Sequence, residues 1–132
     1  MQWDASPAAG FTSQSGKAWL PLGDNAARNV ADQREDHSST LCFCRRLIAL
    51  RHAEYRGQIT SYEQFPSPRD LWVYRSGTLT VAANFSAGTA EPFDPGGPVL
   101  LSTLSATEAV NESPGGISLR PWEAVIVRQT RQ

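Results

Sequence analysis

At 132 residues, with 40% hydrophobic and 19% charged residues, the chain has the make-up of one ordinary globular domain, or of one domain joined to part of another. Twelve basic residues against thirteen acidic ones leave a formal net charge of -1, which excludes the basic footprint that nucleic acid demands. It contains no run of about 18 apolar residues and no basic start leading into an apolar stretch; no membrane partner is expected, and the cytoplasm is the expected location.

Residues 1–37 show no sustained period. Pro7, Gly10, Gly16, Pro21 and Gly23 punctuate them, which is loop chemistry. So long an irregular stretch is either functional or parted from the body that orders it, and its amides are expected to exchange readily. From Ser38 the pattern changes. Ser38 or Ser39 suits a helix cap, and Leu41, Cys44, Ile48 and Tyr55 share one stripe. Phe43, Leu47 and Leu50 widen that stripe to about half the circumference, so the helix needs cover on more than one side. Arg51, His52 and Arg56 crowd its last turns, where cations suit the dipole, and Gly57 is placed to stop it.

Beyond Gly57 the period drops to two. Residues 58–65 form a candidate strand ending at Pro66, and LWVYRSGTLTVAANF reads as a hairpin turning near Ser76-Gly77. In its second arm Leu79, Val81, Ala83 and Phe85 alternate with Thr78, Thr80, Ala82 and Asn84. Short candidates follow at 91–93 and 99–104, with turns at Pro95-Gly96-Gly97-Pro98 and Pro114-Gly115-Gly116. Residues 117–128 make a last strand pair or one bent strand. The expected fold is mainly β: an antiparallel β-sandwich preceded by one α-helix and a long irregular N-terminal segment.

Cys42 and Cys44 lie two apart on the helix and point away from each other, so they read as two reduced thiols with at least one in the core. His37 and His52 complete no metal-ligand spacing and have no Ser or Cys nucleophile in view; no metal or cofactor is expected. Glu35 and Asp36 sit beside a helix start, and Asp70 and Asp94 sit at strand ends, so all four read as structural. Trp72, Tyr74 and Trp122 are assigned to the core or an interface.

Several motifs carry a family resemblance. Met1-Gln2-Trp3-Asp4, Ser6-Pro7 and Ala9-Gly10-Phe11-Thr12 resemble the MQWD…SPNAGFT segment of α-glucosidases in glycoside hydrolase family 13, the α-amylase superfamily. Lys17-Ala18-Trp19-Leu20-Pro21 is similar to its K-P-W-L-P continuation, with Ala18 in place of Pro. Asn29-Val30-Ala31-Asp32-Gln33 is similar to its N-V-x-x-Q. Arg45-Arg46-Leu47-Ile48-Ala49-Leu50-Arg51 resembles the last barrel helix, with Cys44 where Tyr is usual. Asn84-Phe85-Ser86 and Leu119-Arg120-Pro121-Trp122-Glu123-Ala124 resemble two strand motifs of the family's all-β domain C.

The resemblance implies that residues 1–57 correspond to the last βα loop and helix of a (β/α)₈ barrel, and residues 58–132 to domain C. In the family the catalytic carboxylates come from barrel strands ahead of this region, and a barrel needs roughly 250 residues, so no catalytic residue is expected in this chain. Gln2, Trp3, Asp4, Phe11 and Trp19 are the candidate sugar contacts at the rim of the intact pocket. An oligosaccharide would then be a partner only with the full barrel present, and association with a barrel domain or self-association is expected of the isolated chain. The alternative is a stand-alone carbohydrate-binding β-sandwich.

Overall fold

The structure, a computed structural model, describes residues 1–56, 61–94, 96–104, 111–113 and 115–130. Contacts gather the chain into two units, Met1–Arg46 and Leu47–Gln132.

The first unit holds a helix that the periodicity did not show, α1 (Val30–Glu35). Fewer than two turns cannot display a 3.6-residue period, so its mark in the sequence is its cap. Asn29 is extended, and its Oδ1 accepts the Asp32 N–H at 2.9 Å. The longer helix α2 (Thr40–Tyr55) begins in this unit. Of its two candidate caps, Ser39 is the one used: its Oγ accepts the Cys42 N–H at 3.2 Å, while the Ser38 hydroxyl donates to Asp36 Oδ1 at 2.6 Å. Cys42 is buried and its thiol donates to the Gln33 carbonyl at 3.3 Å; Cys44 is exposed, and both thiols are free. Farther along α2, Leu47 and Ile48 are exposed, so the apolar stripe is bare where it needed cover.

The second unit contains a five-stranded antiparallel sheet in the order β1-β2-β3-β7-β4, built from β1 (Tyr62–Phe65), β2 (Leu71–Ser76), β3 (Leu79–Asn84), β4 (Val99–Ser102) and β7 (Ala124–Arg128). A second layer pairs β5 (Asn111–Ser113) with β6 (Gly116–Ser118). The core lies between the layers. Leu71, Val73, Ala82, Val125 and Val127 face Ile117 and Leu119, and Phe65, Ala90, Phe93 and Val99 close the margins. This is the expected sandwich.

Its details differ from the expectation in two places, and the structure adds two that the sequence left open. Residues 117–128 hold two strands rather than one bent strand, but the two do not pair with each other: β6 and β7 belong to different sheets, joined through a turn in which Glu123 N–H donates to the Arg120 carbonyl at 3.1 Å. The candidate at 91–93 supplies only one bridge, Phe93 to Ile117. In β3 Thr80, Ala82 and Asn84 form a continuous buried row; of the other row Leu79 is buried, Val81 and Ala83 are half-buried and Phe85 is exposed. Of the two assignments for Trp72 and Trp122, core and interface, exposure removes the first. Trp72 lies 4.9 Å from Tyr74, and Tyr74 5.3 Å from Tyr62, between ring centroids, in one aromatic row. Gly57, residues 58–60, Pro95 and Pro114, on which the helix stop, the first strand's start and two turns were expected, lie outside the described residues.

The polar residues in β3's inner row are satisfied by side-chain bonding. Asn84 Nδ2 donates to the carbonyls of Gly88 at 2.8 Å and Arg120 at 2.9 Å, and its Oδ1 accepts the Ser86 N–H at 3.0 Å and hydroxyl at 2.8 Å. Glu123, 1% exposed, accepts from the Ser102 hydroxyl at 2.6 Å, the Arg120 N–H at 2.9 Å and Arg120 Nη2 at 3.0 Å. Burial works to raise its carboxyl pKa, but the Arg120 and Ser102 hydrogen bonds and the Arg120 charge outweigh burial and hold it below the ordinary value. The two sandwich motifs quoted above therefore meet in one polar knot that ties both layers together.

Candidate functional site

The five candidate sugar contacts all lie in the first unit. Residues 1–4 run as an extended strip against the start of α1: the Val30 and Ala31 amides donate to the Gln2 and Trp3 carbonyls, each at 2.9 Å. The strip then reverses. Trp3 N–H donates to the Ala9 carbonyl at 2.8 Å, and Ala9 N–H to the Ser6 carbonyl at 2.7 Å. The reversal places consecutive positive φ angles at Ala9 (52°) and Gly10 (61°). Any Cβ at residue 10 would stand 2.7 Å from Asp4 Oδ2, so a glycine is needed there for both backbone and space.

Asp4 is a turn-former in this arrangement. Its Oδ1 accepts the Ser6 N–H at 2.9 Å, and hydrogen bonding from the Ser6 hydroxyl and then its amide holds the carboxyl below the ordinary range. Asn25 Nδ2 bridges the Asp4 carbonyl at 3.1 Å and the Ser6 carbonyl at 2.7 Å. Asn29, buried at the base, donates to the Asn25 carbonyl at 3.0 Å and to Asp32 Oδ2 at 2.7 Å. Asn29 heads the N-V-x-x-Q segment and, as an Asn before a helix start, carries a capping signal, whereas nothing in the sequence singles out Asn25. The Gln2 Nε2 is buried with no partner among the described residues, facing Gly23, where a Cβ would come within 2.9 Å of it.

The rings point the other way. Trp3 is 44%, Phe11 58% and Trp19 92% exposed. The braced backbone thus leaves its aromatic side chains uncovered, the reverse of what packing within a small domain would produce. Trp3 also borders a cleft of about 490 Å³ with Met1, Val30, Leu41, Arg34 and Arg45.

Asp36 and Asp94 are engaged locally. Asp36 closes α1 and accepts the Ser38 N–H at 2.8 Å, and the Ser38 hydroxyl and then this amide lower its pKa. Asp94 Oδ1 accepts the Gly96 N–H at 2.8 Å, a turn role as expected. His37 and His52 are exposed. Among the described residues no three His, Cys, Asp or Glu side chains converge into a metal site, and no helix is long and apolar enough to cross a membrane.

Comparison with known proteins divides the chain in the same order as its textures. The model of the α-amylase catalytic domain matches residues 1–60, and that of a domain of unknown function, DUF3459, matches residues 66–126. The oligo-1,6-glucosidase of Parageobacillus thermoglucosidasius is 32% identical over 97% of this chain and 24% of its own length. The probable oligo-1,6-glucosidase 3 of Bacillus subtilis (strain 168) is 30% identical, over 96% and 24% respectively. The crystal structure of the trehalulose synthase MutB from Pseudomonas mesoacidophila MX-45 superposes with a TM-score of 0.75 at 29% identity, covering 96% of this chain and 24% of that one. The chain spans about a quarter of the length of the curated relatives it matches.

Proposed function

Since the chain belongs to the C-terminal part of glycoside hydrolase family 13, the α-amylase family, we propose that it is the structural end of an α-glucosidase that releases terminal α-linked glucose from oligosaccharides with retention. In this reading residues 1–57 close the barrel and complete the rim of the sugar pocket, and residues 58–132 are domain C. The chain itself carries no catalytic carboxylate. Retention requires a nucleophile and an acid/base about 5 Å apart across the scissile bond, and both come from the larger part of the enzyme that precedes this region in the relatives. The protein works in the cytoplasm, joined to a barrel domain.

The observation that supports this most is the first unit's inside-out arrangement: amides and asparagines are bonded inward while Trp3, Phe11 and Trp19 are exposed. A hydrogen-bonded frame with uncovered rings is suited to lie against a larger body and a sugar. Gln2, Trp3, Asp4, Phe11 and Trp19 form the rim; the rings offer flat apolar faces to pyranose C–H groups, and Asp4 sets the turn that aims them.

The test is reconstitution. The chain is mixed with a relative's barrel truncated where the matched region begins, and glucose release from isomaltose is followed. Neither part alone is expected to turn over substrate, and the mixture is. In the reconstituted enzyme Trp3→Ala and Trp19→Ala are expected to raise KM. A chain that releases glucose unaided, or a truncated barrel as active without it as with it, refutes the proposal.

A further inference from the structure

The first unit holds a cleft of about 490 Å³ between the extended strip, which gives it Met1 and Trp3, and the two helices, α1 with Val30 and Arg34 and α2 with Leu41 and Arg45. We propose that it is a docking surface for an apolar, carboxylate-bearing patch of the barrel domain, with Arg34 and Arg45 forming ion pairs across the interface. The identity of the partner rests on the function proposed above; the chemistry of its patch rests on the cleft alone.

Spacing builds the cleft. Val30 and Arg34 are four residues apart on α1, as are Leu41 and Arg45 on α2, so each helix brings an apolar side chain and, one turn on, a guanidinium to the same opening. Met1 and Trp3, two apart on the strip, add further apolar surface, and Trp3 remains 44% exposed.

The cleft has no acid of its own. No carboxylate lines it, and among the described residues neither Arg34 nor Arg45 has an ion-pair partner. The unit's aspartates are engaged elsewhere: Asp4 accepts from the Ser6 amide, Asp24 from the Ala27 amide, Asp32 from Asn29 and Asp36 from Ser38. In the second unit, by contrast, Arg75, Arg120 and Arg128 each meet a glutamate. Two uncompensated cations beside an apolar floor complement an apolar surface that carries carboxylates, and repel a cationic one. Arginine suits that role because its planar fork takes both oxygens of a carboxylate and is weakly hydrated. The matched region says which body carries the surface. The α-amylase catalytic-domain model covers residues 1–60, every wall of the cleft included, yet the chain spans about a quarter of its relatives' length, so the rest of that domain is the body left to cover these residues.

Two measurements test the proposal. The full chain alone is titrated with phenylacetate and with its neutral isostere phenylacetamide, read by amide ¹H–¹⁵N shifts. Shifts at Arg34, Leu41 and Arg45 are expected to saturate at lower concentration with phenylacetate, and the double variant Arg34→Gln/Arg45→Gln should erase the difference. Both arginines are exposed, so the variant's spectrum should stay that of the folded chain. The chain is then co-expressed with the barrel of the Parageobacillus thermoglucosidasius relative, truncated where the matched region begins, and the dissociation constant of the complex is measured at low and high salt. The double variant should weaken the complex at least about tenfold at low salt and remove most of its salt dependence. Arg28→Gln makes the same charge change outside the cleft and should alter affinity less than about twofold. Equal binding of the two probes, a preference that survives the double variant, or a complex that the double variant leaves intact overturns the docking surface while leaving the proposed function standing. No complex with the wild-type chain overturns both. Self-association of the chain that the double variant abolishes assigns the cleft to a second copy and overturns the barrel as its occupant.

Discussion

Replacing Glu123 by Gln should cost the second unit about 2–3 kcal/mol. The carboxylate is 1% exposed and accepts from Ser102, from the Arg120 amide and from the Arg120 guanidinium. Breaking a buried ion pair typically costs ~3–5 kcal/mol. Here the stranded partner, Arg120, is 28% exposed and can turn partly to water, which places the expected cost below that range. Gln retains one acceptor for Ser102 but sets its amide against the Arg120 donors. In a domain of this size the loss should lower Tm by about 10–20 °C. Urea unfolding, followed by β-sheet circular dichroism, supplies the measurement, with Glu63→Gln as control because the Glu63–Arg75 pair is exposed and worth at most ~1 kcal/mol. The pH dependence gives a second reading. Glu123's native pKa lies below the ordinary carboxyl value, so its contribution is complete above that ordinary value and is lost as pH falls through the native pKa. The gap between the wild type and Glu123→Gln should therefore hold at neutral pH and narrow in acid. A Glu123→Gln cost no larger than that of Glu63→Gln, or a gap that widens on acidification, would refute the reasoning.

Asn84→Ala removes a donor from the Gly88 and Arg120 carbonyls and an acceptor from Ser86, and should destabilise by about 2–3 kcal/mol in the same assay. Gly116→Ala places a Cβ 2.0 Å from the Phe93 carbonyl at a φ of 132°, so the Phe93–Ile117 bridge should open; Gly88→Ala, which meets only Ser86 Oγ at 3.9 Å, should be nearly neutral. In the first unit, Asn29→Ala removes the α1 cap, at a cost of about 1 kcal/mol to the helix, and the bond to the Asn25 carbonyl. Hydrogen exchange should then quicken at Val30 and Ala31, whose amides are bonded to Gln2 and Trp3, while the second unit's strands keep their protection.

The family, the mainly β fold, the hairpin at Ser76-Gly77 and the position of α2 were legible in the sequence because each rests on local order: motif spacing, period-two alternation and a serine cap. The free thiols followed from the same local geometry, since neighbours on a helix diverge. Other features depended on partners distant in the chain. Periodicity marked Leu79, Val81, Ala83 and Phe85 as one side of β3 without deciding which side turns inward; Thr80, Ala82 and Asn84 can form a buried row because Arg120 and Gln129 come from elsewhere to satisfy its polar groups. Likewise 117–128 reads as continuous β structure, but only the pairing of β6 with β5 and of β7 with β3 and β4 sends its two halves to different sheets. The loop at 1–37, for which ready exchange is expected, is cross-braced by Asn25 and Asn29, residues whose side chains reach backward to carbonyls that no periodic pattern marks. Sequence alone determined the position of α2, the β2–β3 hairpin and the mainly β character of the rest, since propensity and spacing act between neighbours, while the short α1 and β5 escaped it. Which face is buried and which polar groups can be afforded there was decided by tertiary structure, since burial and hydrogen-bond satisfaction are properties of groups brought together from far apart in the chain.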